Sequence, residues 1–211
     1  MKQDPKTDGY YYIRITSDVS SGPLLASNSE RAFIISKLQD FLSPRLVIHE
    51  LPIYKQLPSC IDLLAFSIQS RGIELLLFSI DQSLCRSFVE QLVEVLLGYQ
   101  YEIVQYAPHT YYKRKPKIQV LALSDIHEAF ATSLRIHALH TDWEYDRYSS
   151  IGFYLHDRRG DWMRTWRLTQ IYDAIPDAYR KSMLQCIRKS SKKSWLPTTS
   201  FPLVTASSTH G

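Results

Sequence analysis

Apolar positions along the chain repeat at two periods, and the periods alternate in a definite order. Residues 10–17 (YYYIRITS) alternate apolar or aromatic with polar side chains, the period of a strand. Residues 18–27 hold Ser-Ser-Gly-Pro and read as a loop. Ser27 and Glu30 have capping-box spacing and open a helix to about residue 42. Ile34, Leu38, Phe41 and Leu42 share its inner face, and Ser43-Pro44 ends it. An irregular connector over 46–57 leads to strands at 58–67 and 73–80, joined by a polar turn at Gln69–Gly72. The second of these is a short, nearly unbroken apolar run, which predicts a central strand buried on most of both faces.

Asp81-Gln82-Ser83 supplies a turn and an N-cap. The helix that follows runs to about Gly98, with Leu84, Phe88, Leu92, Val95 and Leu96 inward. Residues 99–117 are aromatic and basic, and 118–123 make a fourth strand. Asp125 and Glu128 form another capping box, whose helix extends to about His140. The order is βαββαβ, which predicts an α+β, ferredoxin-like sandwich over 10–140. A helical basic extension follows over 141–194, with helices at 162–173 and 175–191 and Pro176 in the first turn of the second. Residues 195–211 are rich in Ser, Thr and Pro and are expected to be a disordered tail.

Composition narrows the function classes. The 211 residues are 45% hydrophobic, enough for one good core, and the net charge of +4 is compatible with a nucleic-acid partner. Three widely spaced cysteines form no Cys-x-x-Cys pair, which suggests free thiols in a reducing compartment. The polar opening lacks a secretory apolar core, and no apolar run reaches the ~18 residues of a membrane span. The expectation is a cytoplasmic protein with no membrane partner. There is no Gly-rich phosphate loop, Ser nucleophile elbow or His-Glu-x-x-His helix. His137 and His140 are three apart and share a helical face, but no third ligand accompanies them, so packing is the expected role.

The segment Tyr111, Tyr112, Lys113, Arg114, Lys115, Pro116, Lys117 interleaves four cations with aromatics. Cations neutralise phosphates and tyrosines stack on unpaired bases, so these residues are candidate DNA contacts. Arg147, Arg158 and Arg159 form a second candidate region. Arg180, Lys181, Arg188 and Lys189 on the last helix suit either phosphates or solvent.

Several blocks resemble the REP-associated branch of the single-tyrosine HUH transposases, from about residue 10 to 187. Residues 11–22 are similar to that family's first strand and loop, and Ser83-Leu84-Cys85-Arg86 to the start of its second helix. Arg135-Ile136-His137-Ala138-Leu139-His140 resembles Tyr-Ile-His-x-Asn-Pro. Tyr148-Ser149-Ser150-Ile151-Gly152-Phe153-Tyr154-Leu155 resembles Trp-Ser-Ser-Tyr-x-x-Tyr-Leu. Asp161-Trp162-Met163 and Ala178-Tyr179-Arg180-Lys181 are similar to the last two blocks.

The resemblance implies a His-x-His pair on the third strand, where two imidazoles hold a divalent cation that polarises a DNA phosphate. It also implies a tyrosine on the following helix that attacks the phosphate and forms a covalent link. Here Gly72-Ile73-Glu74 stands at the histidine positions, and Val95 and Gly98 at the tyrosine positions. Glu74 is the remaining candidate metal ligand; otherwise it is a strand-end acid facing a cation such as Arg71. Tyr99 and Tyr101 are candidate nucleophiles after a shift of register.

The expected function is binding of single-stranded or hairpin DNA by a transposase relative that has lost cleavage, with no cofactor. An active enzyme using Mg²⁺ or Mn²⁺ and a displaced tyrosine is one alternative. A protein-interaction or regulatory module without DNA binding is the other. A homodimer is compatible with the sequence.

Overall fold

The computed structural model describes residues 8–17, 22–43, 60–106, 116–139, 142–156, 158–170 and 177–190, with backbone only over 100–106 and 189–190. Four strands, β1 (Gly9–Ser17), β2 (Ile61–Gln69), β3 (Gly72–Ser79) and β4 (Pro116–Leu123), form one antiparallel sheet in the order β2-β3-β1-β4. Helix α1 (Asn28–Leu42) joins β1 to β2, and α2 (Gln82–Tyr106) joins β3 to β4. The fold is α+β with ferredoxin-like connectivity and a helical C-terminal part.

That C-terminal part consists of α3 (Ile126–His137), a 3-10 turn Trp143–Tyr145, α4 (Gly152–Leu155), α5 (Trp166–Thr169) and α6 (Asp177–Ser190). Tyr11, Ile13, Ile15, Ile73, Leu75 and Leu77 face one side of the sheet and pack with Ile34 and Leu38 of α1 and Phe88 and Leu92 of α2. Tyr12, Leu76 and Leu121 face the other side and pack with Ala129, Phe130 and Leu134 of α3, Tyr154 of α4 and Tyr179 of α6. Residues before and after position 140 share this second core. A sheet covered on both faces explains why β2 and β3 read as nearly continuous apolar runs.

Local signals set the helix starts. The Ser27 hydroxyl accepts from Glu30 N at 3.1 Å, and the Glu30 carboxylate accepts from Ser27 N at 2.7 Å. Asp81 caps α2 by accepting from Ser83 N at 2.8 Å. Asp125 accepts from Glu128 N at 2.8 Å, but the Glu128 carboxylate returns to Ser124 N at 2.7 Å, one residue earlier than in a closed box.

Two expected boundaries differ. Helix α2 passes Gly98 and continues to Tyr106. A mid-helix glycine costs only about 1 kcal/mol, and the Tyr99 ring beyond it stacks on Phe33 of α1 at 4.1 Å. The predicted helix at 162–173 shrinks to α5 within the described residues. Trp162 and Met163 are used otherwise: Trp162 stacks on Phe66, Met163 bridges Leu63, and Arg164 N donates to Leu63 O at 2.9 Å.

The same region closes the outer edge of β2. Ile68 N donates to Tyr148 O at 2.9 Å, Phe66 N to Ser150 Oγ at 2.8 Å, and the Tyr154 hydroxyl to Leu64 O at 2.6 Å. An edge so occupied cannot template pairing with another chain.

Candidate nucleic-acid interface

Alternation along each strand, combined with the register, lays side chains out in rows across the sheet. On the α3 face, one row is Ala65, Leu76, Tyr12 and Leu121, from β2 to β4. It is apolar apart from the tyrosine hydroxyl, and α3 covers it. The next row is Ser67, Glu74, Arg14 and Gln119, and the one after is Gln69, Gly72, Thr16 and Lys117. On the opposite face the same end of the sheet stays apolar, with Ile68, Ile73, Ile15 and Ile118. The two polar rows form a shelf about 14 Å wide across four strands, beyond the end of α3.

Glu74 lies at the centre of the shelf, with its side chain 15% exposed. The Tyr12 hydroxyl donates to its Oε2 at 2.7 Å, and Arg14 Nε stands 3.4 Å from its Oε1. Arg135, in the last turn of α3, also acts on it through charge. Burial pushes the Glu74 carboxyl above the usual range, opposed by the Tyr12 hydrogen bond and the two guanidiniums. Burial and the facing carboxylate raise the Tyr12 phenol well above its ordinary value. The cation facing Glu74 is thus Arg14 across the strand pair, not Arg71 in the turn. That pairing is set by the register Arg14↔Glu74, which sequence spacing alone does not disclose.

The residues at the resemblance's metal positions do not fit a divalent cation. A Cβ at Gly72 would lie 2.7 Å from the Ile15 carbonyl oxygen and 3.0 Å from Thr16 Cγ2. No imidazole can stand there unless β1 and β3 separate. The Glu74 carboxylate is already engaged by a phenol and a guanidinium. Among the described residues, no group of three His, Cys, Asp or Glu side chains is placed to hold a metal.

The structure does not bring the candidate nucleophile to Glu74 either. Tyr99 stacks on Phe33, on the α1/α2 side of the sheet, while Glu74 faces the α3 side. Tyr101 lies in α2, where only the backbone is described. Tyr111, Tyr112, Lys113, Arg114 and Lys115 lie outside the described residues. The chain emerges from them into β4 at Pro116, and Lys117 is exposed on the shelf.

Arg147 and Arg158 lie on the strap along the outer edge of β2, against aromatic rings that pack on the α1/α2-side core. Ser67 pairs with Ser149, while the neighbouring Tyr148 ring is buried on the α1/α2 side, its hydroxyl donating to Asn28 O at 3.4 Å, and is flanked by the guanidiniums of Arg31 at 4.4 Å and Arg147 at 4.8 Å. Arg158 Nη1 donates to the Arg147 and Ser149 carbonyls, each at 3.4 Å, and its guanidinium lies over Phe153. Partial burial lowers its pKa, while Asp146 acts in the opposite sense. Arg147 and Arg159 are exposed. Arg180 on α6 is committed to Glu144 at 2.9 Å.

His137 is fully buried, with Tyr179 Oη 2.7 Å from Nδ1 and Ser150 Oγ 2.6 Å from Nε2. This network ties α3, α6 and the strap along β2 together, the packing role expected for it. Arg14, Gln69, Gln119 and Arg135 are not among the contacts expected from sequence, although Arg135 opens one of the blocks that carry the resemblance and Gln69 opens the polar turn. One signal was present: in YYYIRITS, Arg14 interrupts the aromatic parity of Tyr10 and Tyr12. In comparisons with family models, with curated proteins and with solved structures, nothing matches this chain.

Proposed function

We propose that this chain is a DNA-binding protein related to the single-tyrosine HUH transposases, that it recognises single-stranded or hairpin DNA, and that it has lost cleavage. The observation that carries the binding reading is the polar, cationic shelf at one end of the sheet. Among the described residues, Arg14, Lys117 and Arg135 outnumber Glu74 there, and in sequence the basic segment 111–115 immediately precedes β4. Such a surface tracks a phosphate backbone, and neighbouring tyrosines serve unpaired bases. The loss of cleavage is supported by the closed space at Gly72, the engaged Glu74 carboxylate and the placement of Tyr99 across the sheet. No divalent cation is required for binding in this reading.

Incubation with labelled hairpin DNA and Mg²⁺ or Mn²⁺ should leave no covalent adduct on a denaturing gel. An adduct abolished by Tyr99→Phe or Tyr101→Phe would overturn the loss of cleavage. Hairpin affinity should fall steeply as NaCl is raised, and Lys113→Ala/Arg114→Ala/Lys115→Ala should weaken it. Absence of binding at low salt would overturn the DNA reading.

A further inference from the structure

We propose that Arg14 and Arg135 form a clamp for one backbone phosphate of the bound strand, with Glu74 and Tyr12 as the groups that position Arg14. The inference rests on the DNA-binding reading and assigns one contact within it. Three observations support it.

First, Arg14 pairs with Glu74 at 3.4 Å, and the last turn of α3, which carries Arg135, is tied through His137 and Ser150 to Phe66, next to Ser67 of the Glu74 row. Second, Arg14 Nε stands 3.4 Å from Glu74 Oε1 as an ion pair, and that nitrogen is buried with no hydrogen-bond partner of its own. Its terminal nitrogens have no acceptor among the described residues, and 39% of the side chain remains exposed. A guanidinium drawn to a carboxylate by charge and otherwise without an acceptor keeps its planar fork available, the geometry that suits two phosphate oxygens. Third, Arg135 is fixed by its own bond to Thr132 Oγ1 at 2.7 Å in the last turn of α3, which borders the polar rows. Neighbouring Gly72 contributes no side chain, so nothing from β3 stands beside Arg14 in the next row.

Glu74 is here a positioning residue. It orients Arg14 from beneath and is itself held by the Tyr12 hydroxyl at 2.7 Å. A strand phosphate bound above would complete a row of alternating charge: carboxylate, guanidinium, phosphate.

The test is fluorescence anisotropy of a labelled DNA hairpin carrying a single-stranded tail, measured against NaCl for wild type, Arg14→Ala, Arg14→Lys and Arg135→Ala. A charged bidentate contact predicts roughly tenfold weaker binding by Arg14→Ala. Loss of one phosphate contact lowers the salt slope by about 0.7. Arg14→Lys should recover little affinity, because the charge returns without the fork. Full recovery by lysine would overturn the clamp and leave only general charge.

A second series keeps the protein intact: wild type with hairpins bearing one neutral methylphosphonate linkage, moved along the tail. One linkage should cost wild type about tenfold and Arg14→Lys almost nothing, the coupling of a shared contact. Equal loss at every linkage would overturn the assignment. Inorganic phosphate at constant ionic strength should leave hairpin binding unchanged; competition at millimolar phosphate would assign the site to a free anion instead. Failure of wild type to bind any hairpin overturns the DNA reading and the clamp together. Hairpin binding with an unchanged salt slope in Arg14→Ala overturns the clamp alone.

Discussion

Gly72→Ala should destabilise the protein, although the same change usually strengthens a strand. The added Cβ would stand 2.7 Å from the Ile15 carbonyl oxygen. A carbon–oxygen contact is comfortable at about 3.3–3.6 Å, so β1 and β3 must part by roughly 0.6–0.9 Å at that row. Backbone cannot rotate away as a flexible side chain would, and overpacking of this kind costs about 1–3 kcal/mol. The smaller entropy of an unfolded alanine returns about 0.4–1 kcal/mol. At the middle of each range the net loss is about 1.3 kcal/mol, which lowers the melting temperature by roughly 3–5 °C for a chain of this length. Gly98→Ala is the matched control: it lies exposed in α2 with nothing within 4 Å of its Cβ, so it should stabilise by about 0.5–1 kcal/mol. Urea unfolding followed by circular dichroism measures both, with an unchanged slope certifying that only stability moved. Gly72→His/Glu74→His extends the test to function: it should be less stable still and show no stoichiometric Mn²⁺ binding by calorimetry. A Gly72→Ala protein as stable as wild type would refute the steric reasoning. So would a double-histidine variant that binds Mn²⁺ without loss of stability.

Glu74→Gln should change the pH dependence of stability. Because burial raises the folded-state pKa above the ordinary 4.5, the native protein binds this proton more readily than the unfolded chain. The contribution is fully present below the unfolded pKa and is lost as pH rises through the folded value. Wild type should therefore lose stability relative to Glu74→Gln as pH is raised through that window; parallel curves would show that the carboxyl is unperturbed. Tyr179→Phe removes the buried hydroxyl that stands 2.7 Å from His137 Nδ1 and 3.0 Å from Ser133 Oγ, at a cost of about 1–3 kcal/mol in thermal unfolding. Burial pushes the Cys85 thiol up to about 12, so iodoacetamide at pH 8 should label it only after denaturation. Labelling of native Cys85 at the rate of a free thiol would contradict its placement in the core.

What the sequence disclosed and what it withheld divide by distance along the chain. The Ser27/Glu30 box depends on groups three residues apart, and both hydrogen bonds are present. The run 73–80 reads as a central strand, and β3 is central, because burial on both faces writes itself as a nearly unbroken run of Ile, Leu and Phe, broken only by Glu74 and Ser79. The shelf is different. Arg14, Glu74 and Lys117 lie far apart in the chain and become neighbours through registers fixed by core packing on the other face. Tyr99 looked near enough to serve as a nucleophile, yet position on a helix does not say which face of the sheet that helix covers. The strap at 147–164 has too few helical residues to carry a periodic signal. Its backbone is spent on the edge of β2 instead.

Stability by itself does not explain why a buried strand pair carries Arg14 and Glu74. A partly buried ion pair must offset its desolvation, and apolar residues of similar volume often hold a structure equally well or better. Arg14 is also too exposed for its 3.4 Å contact to contribute more than a modest amount. On this reasoning Arg14→Met/Glu74→Leu, made together with Tyr12→Phe so that no buried hydroxyl loses its acceptor, should keep the melting temperature of wild type or raise it, since the apolar row of Ala65, Leu76 and Leu121 adjoins these positions. Hairpin affinity should nevertheless fall by about the same factor as in Arg14→Ala, because the phosphate contact goes with the guanidinium. Calorimetry and anisotropy on one preparation separate the two effects. A marked loss of stability in the apolar variant would mean that the pair serves the sheet. Stability kept and binding lost would mean that it serves the strand bound above it.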